Sequence, residues 1–223
     1  MTLDDLFEIA HANGLQLSRE QLASLGAYAS LLKEKNKVVN LISRKDEENI
    51  LEKHILHSLC ILMPAITGFT LSTGSKVFDI GAGGGLPGIP LKIVRPDLVV
   101  ILCDSIAKKM TAVNEFIGDL GLSGIEGLTG RAEDLARSSE HRKQYDVVVS
   151  RAVAPLDELL LWTKDLMKPG AILLALKGGD LRTELVRTRN KNNVVEVKEQ
   201  LIMLQGYSGF ASDEKKLVRV LMR

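Results

Sequence analysis

An α/β fold, built on a mostly parallel seven-stranded sheet with a C-terminal antiparallel strand and preceded by an N-terminal helical segment, follows from three features of the 223-residue sequence. Before residue 76, apolar residues recur at three- and four-residue spacing and no strand pattern interrupts them. Beyond it, short apolar runs alternate with helical segments, which is the pattern of a parallel sheet covered on both faces. Near the end, two long alternating runs are separated only by Gly206–Lys215, too short for a crossover helix, so they should pair antiparallel.

Leu3, Leu6, Phe7 and Ala10 mark a first helix, and Leu22, Leu25, Tyr28, Ala29 and Leu32 a second. Ser18 followed by Gln21 forms a capping box at the start of the second. A third helix is predicted from about Glu47 to Leu62, ended by Pro64. The Gly, Thr and Ser content of Gly68–Ser75 marks a linker, dividing an N-terminal helical extension, residues 1–67, from an α/β domain, residues 68–223. Strands are predicted near Lys76–Ile80, Val99–Cys103, Gly124–Leu128, Asp146–Ser150 and Ala171–Leu176. The helices between them should start near Pro87, Lys108, Glu133 and Pro155. A helix from about Asp180 to Asn190 precedes the last two strands, Val194–Leu204 and Lys216–Met222.

Composition narrows the function classes. Apolar residues make up 45% and charged residues 26%, which is globular composition and excludes disorder as the main state. No apolar run approaches the ~20 residues of a membrane span, and the acidic start Met1-Thr2-Leu3-Asp4-Asp5 argues against a secretion signal, so a cytoplasmic protein without membrane association is expected. Cys60 and Cys103 sit in apolar runs and read as buried, reduced thiols. Net charge is +1, with residues 177–223 contributing 10 basic and 6 acidic groups; that mild excess permits an RNA partner without requiring one.

The most informative segment runs from Val77 to Pro90. A strand passes directly into glycines and then into a helix whose first turn holds Pro87, a residue favoured at the first helical position. Read as Gly83, Gly85 and Gly88, the loop spells the dinucleotide fingerprint G-x-G-x-x-G. Read as Asp79, Gly81, Gly83 and Gly85, it spells the D-x-G-x-G-x-G of S-adenosylmethionine sites. The second frame is preferred, because Asp79 would point into the site and hold an ammonium group, whereas a pyrophosphate gains nothing from a carboxylate there. Further candidates fall at successive strand ends: Asp104-Ser105 where ribose hydroxyls would lie, Gly130–Asp134 beside an adenine ring, and Arg151 at the mouth of the cleft.

Other chemistries lack their residues. The histidines are His11, His54, His57 and His141, in no metal-ligating pattern, so no metal is expected. His54 and His57 could face the cleft, but a capped or exposed pair is the ordinary reading. Neither a nucleophile elbow nor a phosphate-binding P-loop is present. A nicotinamide-dependent oxidoreductase and a non-catalytic adenosyl-nucleotide-binding module stay open as alternatives.

Asp79–Pro90, Asp104-Ser105 with Lys108-Lys109, Gly130–Glu133, Ser150–Ala154 and Lys177-Gly178 together resemble the ordered signature of the bacterial RsmG family, also called glucose-inhibited division protein B. Asn40-Leu41 and His54–Leu59 resemble its N-terminal motifs, so the likeness spans roughly residues 36–180. His57 departs from it, standing where an acid would precede Ser58-Leu59, and Gly84 varies the loop. The resemblance implies a Rossmann-like methyltransferase that uses S-adenosylmethionine to methylate nitrogen 7 of a guanine in the 530 loop of 16S ribosomal RNA. It further implies cofactor contacts from Gly81, Leu86, Asp104, Ser105, Ala132, Glu133 and Arg151, joined by Asp79 and Gly83 from the loop itself. Arg131, Arg151 and Lys177 are the candidates for the target guanine or its phosphates, and no general base is needed, in keeping with the lack of an evident His–carboxylate dyad. The small ribosomal subunit is the implied partner and a monomer the expected state.

Overall fold

The computed structural model describes residues 1–223. Helix α1 spans Leu3–Ala12 and α2 spans Arg19–Asn36. Each opens on a capping box, from Thr2 with Asp5 and from Ser18 with Gln21. A continuous helical stretch of changing pitch follows: a tight turn over Arg44–Asn49, a wide one over Leu51–Leu56, the α-helical α3 over His57–Leu59 and another tight turn over Cys60–Leu62. Pro64 then opens a short helix, α4 (Pro64–Thr67), where its missing N–H costs nothing.

From here the strand–helix alternation holds: β1 (Lys76–Ile80), α5 (Gly88–Val94), β2 (Val99–Asp104), α6 (Ala107–Asp119), β3 (Ile125–Thr129), α7 (Ala132–Leu135), β4 (Tyr145–Arg151) and α8 (Leu156–Thr163). The chain closes with β5 (Met167–Gly178), α9 (Arg182–Arg189), β6 (Val194–Leu201), α10 (Gly209–Ser212) and β7 (Lys215–Met222). The seven strands form one sheet in the order β3-β2-β1-β4-β5-β7-β6. The first five run parallel, and β7 lies antiparallel between β5 and β6. The order reverses beside β1, so β1 and β4 flank the switch point at which open sheets bind ligands. Strand β5 runs longer than its apolar core predicts, because pairing with β7 carries it to Gly178, and β6 stops at Leu201, short of the predicted Leu204.

Alternation along the strands sorts the core into two layers. Val77, Val100, Leu102, Val147 and Val149 face the side covered by α5, α6 and the N-terminal helices. Phe78, Ile80, Val148, Leu173 and Ala175 face α8 and α9. Leu6, Leu25, Tyr28, Leu32 and Ile55 belong to the first layer, so residues before 68 share one apolar core with the sheet. No helix is long and apolar enough to cross a membrane.

Leu32 is fully buried within that shared layer. Leu32→Ala should therefore lower the unfolding free energy of the whole chain by about 2–5 kcal/mol, read as a displaced single transition in urea. A normal transition for the sheet with only local loss of helix would contradict the shared core.

Candidate active site

A cavity of about 900 Å³ opens at the carboxyl ends of β1, β2 and β4, at the upper end of the range of ligand pockets. One wall is the bend between β1 and α5, and the facing wall comes from the helical stretch around His54 and from the chain near α10.

The bend is set by sterics. Gly81 leaves β1 at φ +68°, and its N–H and that of Ala82 donate to the Cys103 carbonyl at 2.8 and 3.0 Å. A Cβ on Gly81 would lie 2.5 Å from a Val153 methyl. Gly85, at φ +95°, has Ile89 at 2.4 Å from the same hypothetical atom. Behind the loop, Tyr28 donates its hydroxyl proton to the Gly84 carbonyl at 2.8 Å. Asn36 accepts from the N–H groups of Leu41 and Ile42 at 2.8 and 2.9 Å, which docks the segment after α2 against the glycines.

Asp79 does not point into the cavity. Counting along β1 puts it on the same face as Val77, beneath α5, where it is fully buried and accepts from Gly88 N–H at 2.8 Å. Its other oxygen has no partner. Burial pushes its carboxyl up to about 8, against the Gly88 hydrogen bond and the Arg151 charge, which favour the ionised form. Pro87 is likewise displaced from its predicted place: it caps α5, and Gly88 is the first helical residue.

Asp104, half-buried at the end of β2, accepts from Gly83 N–H at 3.1 Å and Ile106 N–H at 2.9 Å. Each oxygen keeps a second lone pair, and the residue lines the cavity. Gly81, Gly83, Leu86 and Ala132 form its inner surface, with Ser105, Arg131 and Glu133 exposed at the rim.

Arg151 lies deep rather than at the mouth. It ends β4 on the face of Val147 and Val149, and its guanidinium lies against His54, with Nη1 2.7 Å from Nδ1. The two histidines are neither exposed nor capping; both are about 5% accessible and line the cavity. Three-residue spacing puts them on one helix face, which packing against the sheet turns inward. Burial pulls the His54 imidazole down to about 3, helped by the Arg151 charge, and pulls His57 well below its usual range. Asp46 approaches His54 Nε2 only to 3.9 Å, beyond hydrogen-bond distance. Lys177 also lines the cavity, but its ammonium is held by the Ala154 carbonyl and by Glu184 at 2.9 Å, which ties β5 to α8 and α9 rather than leaving it open to a target.

Sequence reasoning missed Tyr28, whose helical spacing marks it only as core, and the contribution of Asp46, Lys53, Phe210 and Lys215 to the far wall. No local signal connects those four, since they meet only through the tertiary fold.

Comparison with known proteins places the chain in a family. The family described as GidB, rRNA small subunit methyltransferase G, matches residues 21–208. A ribosomal RNA small subunit methyltransferase G from Chlorobium limicola is 38% identical over 97% of this chain and 95% of its own length. One from Roseiflexus castenholzii is 39% identical, covering 84% and 78%. Among solved structures, a predicted O-methyltransferase from Agrobacterium tumefaciens aligns with TM-score 0.57 at 14% identity, over 73% of this chain and 80% of that one. Such a likeness shares the fold.

Asp79 gives a pH test. Its folded value, about 8, lies above the ordinary 3.8, so its contribution to stability is complete below 3.8 and is lost as pH rises through 8. Asp79→Asn keeps an acceptor for Gly88 and does not ionise. The wild type should thus lose stability relative to Asp79→Asn as pH rises across that window, read by urea unfolding at several pH values. A difference that stays constant with pH would refute the buried, proton-holding carboxyl.

Proposed function

The chain belongs to the GidB family, rRNA small subunit methyltransferase G, and from that premise we propose that it uses S-adenosylmethionine to methylate nitrogen 7 of a guanine in the 530 loop of 16S ribosomal RNA. The observation that carries the cofactor assignment is the convergence, around one cavity, of the β1–α5 glycine bend, the Asp104 carboxylate and the half-buried Arg151 guanidinium. These residues fit a nucleoside joined to an amino acid. Asp104 can accept from ribose hydroxyls with its remaining lone pairs, Ala132 and Glu133 flank the space for an adenine, and Gly81 and Leu86 leave room for the aliphatic tail. Arg151 has a charge to offer its carboxylate.

When bound, the cofactor supplies an electrophilic methyl group on a sulfonium. Guanine nitrogen 7 carries a free lone pair and no proton, so the chain has no proton to remove. What remains for it is to hold two ligands in line and keep water out; in well-oriented systems positioning is worth on the order of 7–11 kcal/mol. Because that edge of guanine is inaccessible inside a regular A-form helix, the target base must sit in a loop or leave its stack. Arg131, exposed on the rim, is placed to meet phosphates at the entrance. The small ribosomal subunit or its RNA is the proposed partner, met by a monomer in the cytoplasm.

Binding and transfer can be measured separately. At about a hundredfold excess over its Kd, S-adenosylhomocysteine should raise stability by about 2.7 kcal/mol, while NADH should leave the melting temperature unchanged. The reverse pattern would favour the oxidoreductase. Tritium from labelled cofactor should appear in small-subunit RNA, and a binder that transfers none would be a module rather than an enzyme. Asp104→Ala should abolish the stabilisation by S-adenosylhomocysteine while the protein stays folded, whereas Gly81→Val, which drives a side chain into Val153 at a left-handed φ, should lower the melting temperature as well.

A further inference from the structure

Arg151 is a half-buried cation, its Nε fully enclosed, that no carboxylate of the chain touches. Its Nη1 meets only the His54 ring, and its Nε has no partner. The nearest acids are committed elsewhere: Asp46 pairs with Lys53 at 3.0 Å, and Asp79 accepts from Gly88 and holds its proton toward neutral pH. His57 contributes an imidazole tilted at 49° against the Phe210 ring, centroids 5.0 Å apart, again without charge. An isolated buried charge is costly, and the opening beside Arg151 is where an anion from outside would be received.

The His54 contact fixes a tautomer. A guanidinium has donors only, so His54 Nδ1 must accept, the ring is neutral, and its proton sits on Nε2. That Nε2–H is enclosed without a partner, the Asp46 carboxylate stopping at 3.9 Å. Protonation of Nδ1 would break the contact and set two cations side by side.

We propose that His54 is a positioning residue: by accepting from Arg151 Nη1 it aims the guanidinium into the cavity as the receptor for an anionic group of the ligand. The shared chemistry is a delocalised oxyanion, either the carboxylate of the cofactor's amino-acid end or a phosphate of the RNA. The inference rests on the methyltransferase reading above, and it assigns to His54 a role exercised entirely through Arg151.

The test compares two nucleosides by calorimetry on the full chain: S-adenosylhomocysteine, which carries the carboxylate, and methylthioadenosine, which lacks the whole amino-acid portion. Loss of packing alone weakens both; loss of the anion receptor weakens only the first. Arg151→Gln and His54→Gln, whose amide reaches the Nε2 position instead of Nδ1, should lower affinity for S-adenosylhomocysteine about ten- to hundredfold and leave methylthioadenosine within about threefold. His54→Asn, which puts an oxygen near the Nδ1 position, should restore the preference. If these ratios stay at the wild-type value while the KM for RNA rises in His54→Gln and not in His54→Asn, the received anion is the RNA phosphate. If His54→Gln and His54→Asn behave alike in both assays, whether like the wild type or equally impaired, the positioning role is wrong. A wild-type protein that binds neither nucleoside would instead sink the methyltransferase reading itself. Should His54→Gln lose its native circular dichroism, the comparison of Arg151→Gln with His54→Asn decides in the same way.

Discussion

Crowding around the β1–α5 bend is the constraint on which the rest of the architecture turns. Val153 closes on Gly81, Leu32 and Leu41 on Gly84, Ile89 on Gly85, and Leu102 on Gly88, at distances that leave no room for a Cβ. Those neighbours come from the N-terminal helices, from α5, from β2 and from the end of β4. The bend is thus where separate parts of the chain are brought into register. Its backbone polar groups are met in the same way: the Gly84 carbonyl by Tyr28, the Gly83 N–H by Asp104 and the Gly88 N–H by Asp79. A loop held from every side presents a fixed surface to the cavity, and rigidity of this kind is what ligand positioning needs.

The same packing explains why a helical segment precedes the sheet. Its apolar residues extend the core layer on the α5 side, while Tyr28 and Asn36 reach the bend and its flanking strand of chain. Its later part lines the cavity with His54 and His57. Stability and site construction therefore draw on the same residues. Two of the cations lining the cavity are treated differently: Lys177 is neutralised by Glu184 and serves as a strut, whereas Arg151 meets the neutral His54 ring.

The parallel strands were legible in the sequence to within a few residues, because each is a compact apolar run bounded by turn residues. The strand-end residues Asp104, Ala132 and Arg151 were legible for a related reason: ligands gather at the carboxyl ends of such strands. The direction of Asp79 was harder to read. In a sheet buried on both faces, a polar residue between Phe78 and Ile80 reveals its side only once the packing layers are known. Three-residue spacing puts His54 and His57 on one helix face, but which way that face turns is decided by how the stretch packs against the sheet. Alternation along β4 puts Arg151 on the face of Val147 and Val149, but only the tertiary fold brings His54 there to meet it.

Neutrality of the inner wall also bears on the proposed chemistry. A guanine methylated at nitrogen 7 becomes cationic, and a charged imidazole beside it would oppose that change. Burial keeps both His54 and His57 uncharged, with His54 pulled down to about 3. A neutral ring is far easier to desolvate than an imidazolium, although Nε2 of each ring is enclosed without a partner. Among the cations of the cavity, Lys53 is paired with Asp46, while the charge of Arg151 is one that a ligand's own anion would cancel before the base acquires charge. The wall therefore suits a reaction in which positive charge passes from the sulfonium to the base: binding supplies the one countercharge required, and the chain adds no titrating group that would have to change state along the way.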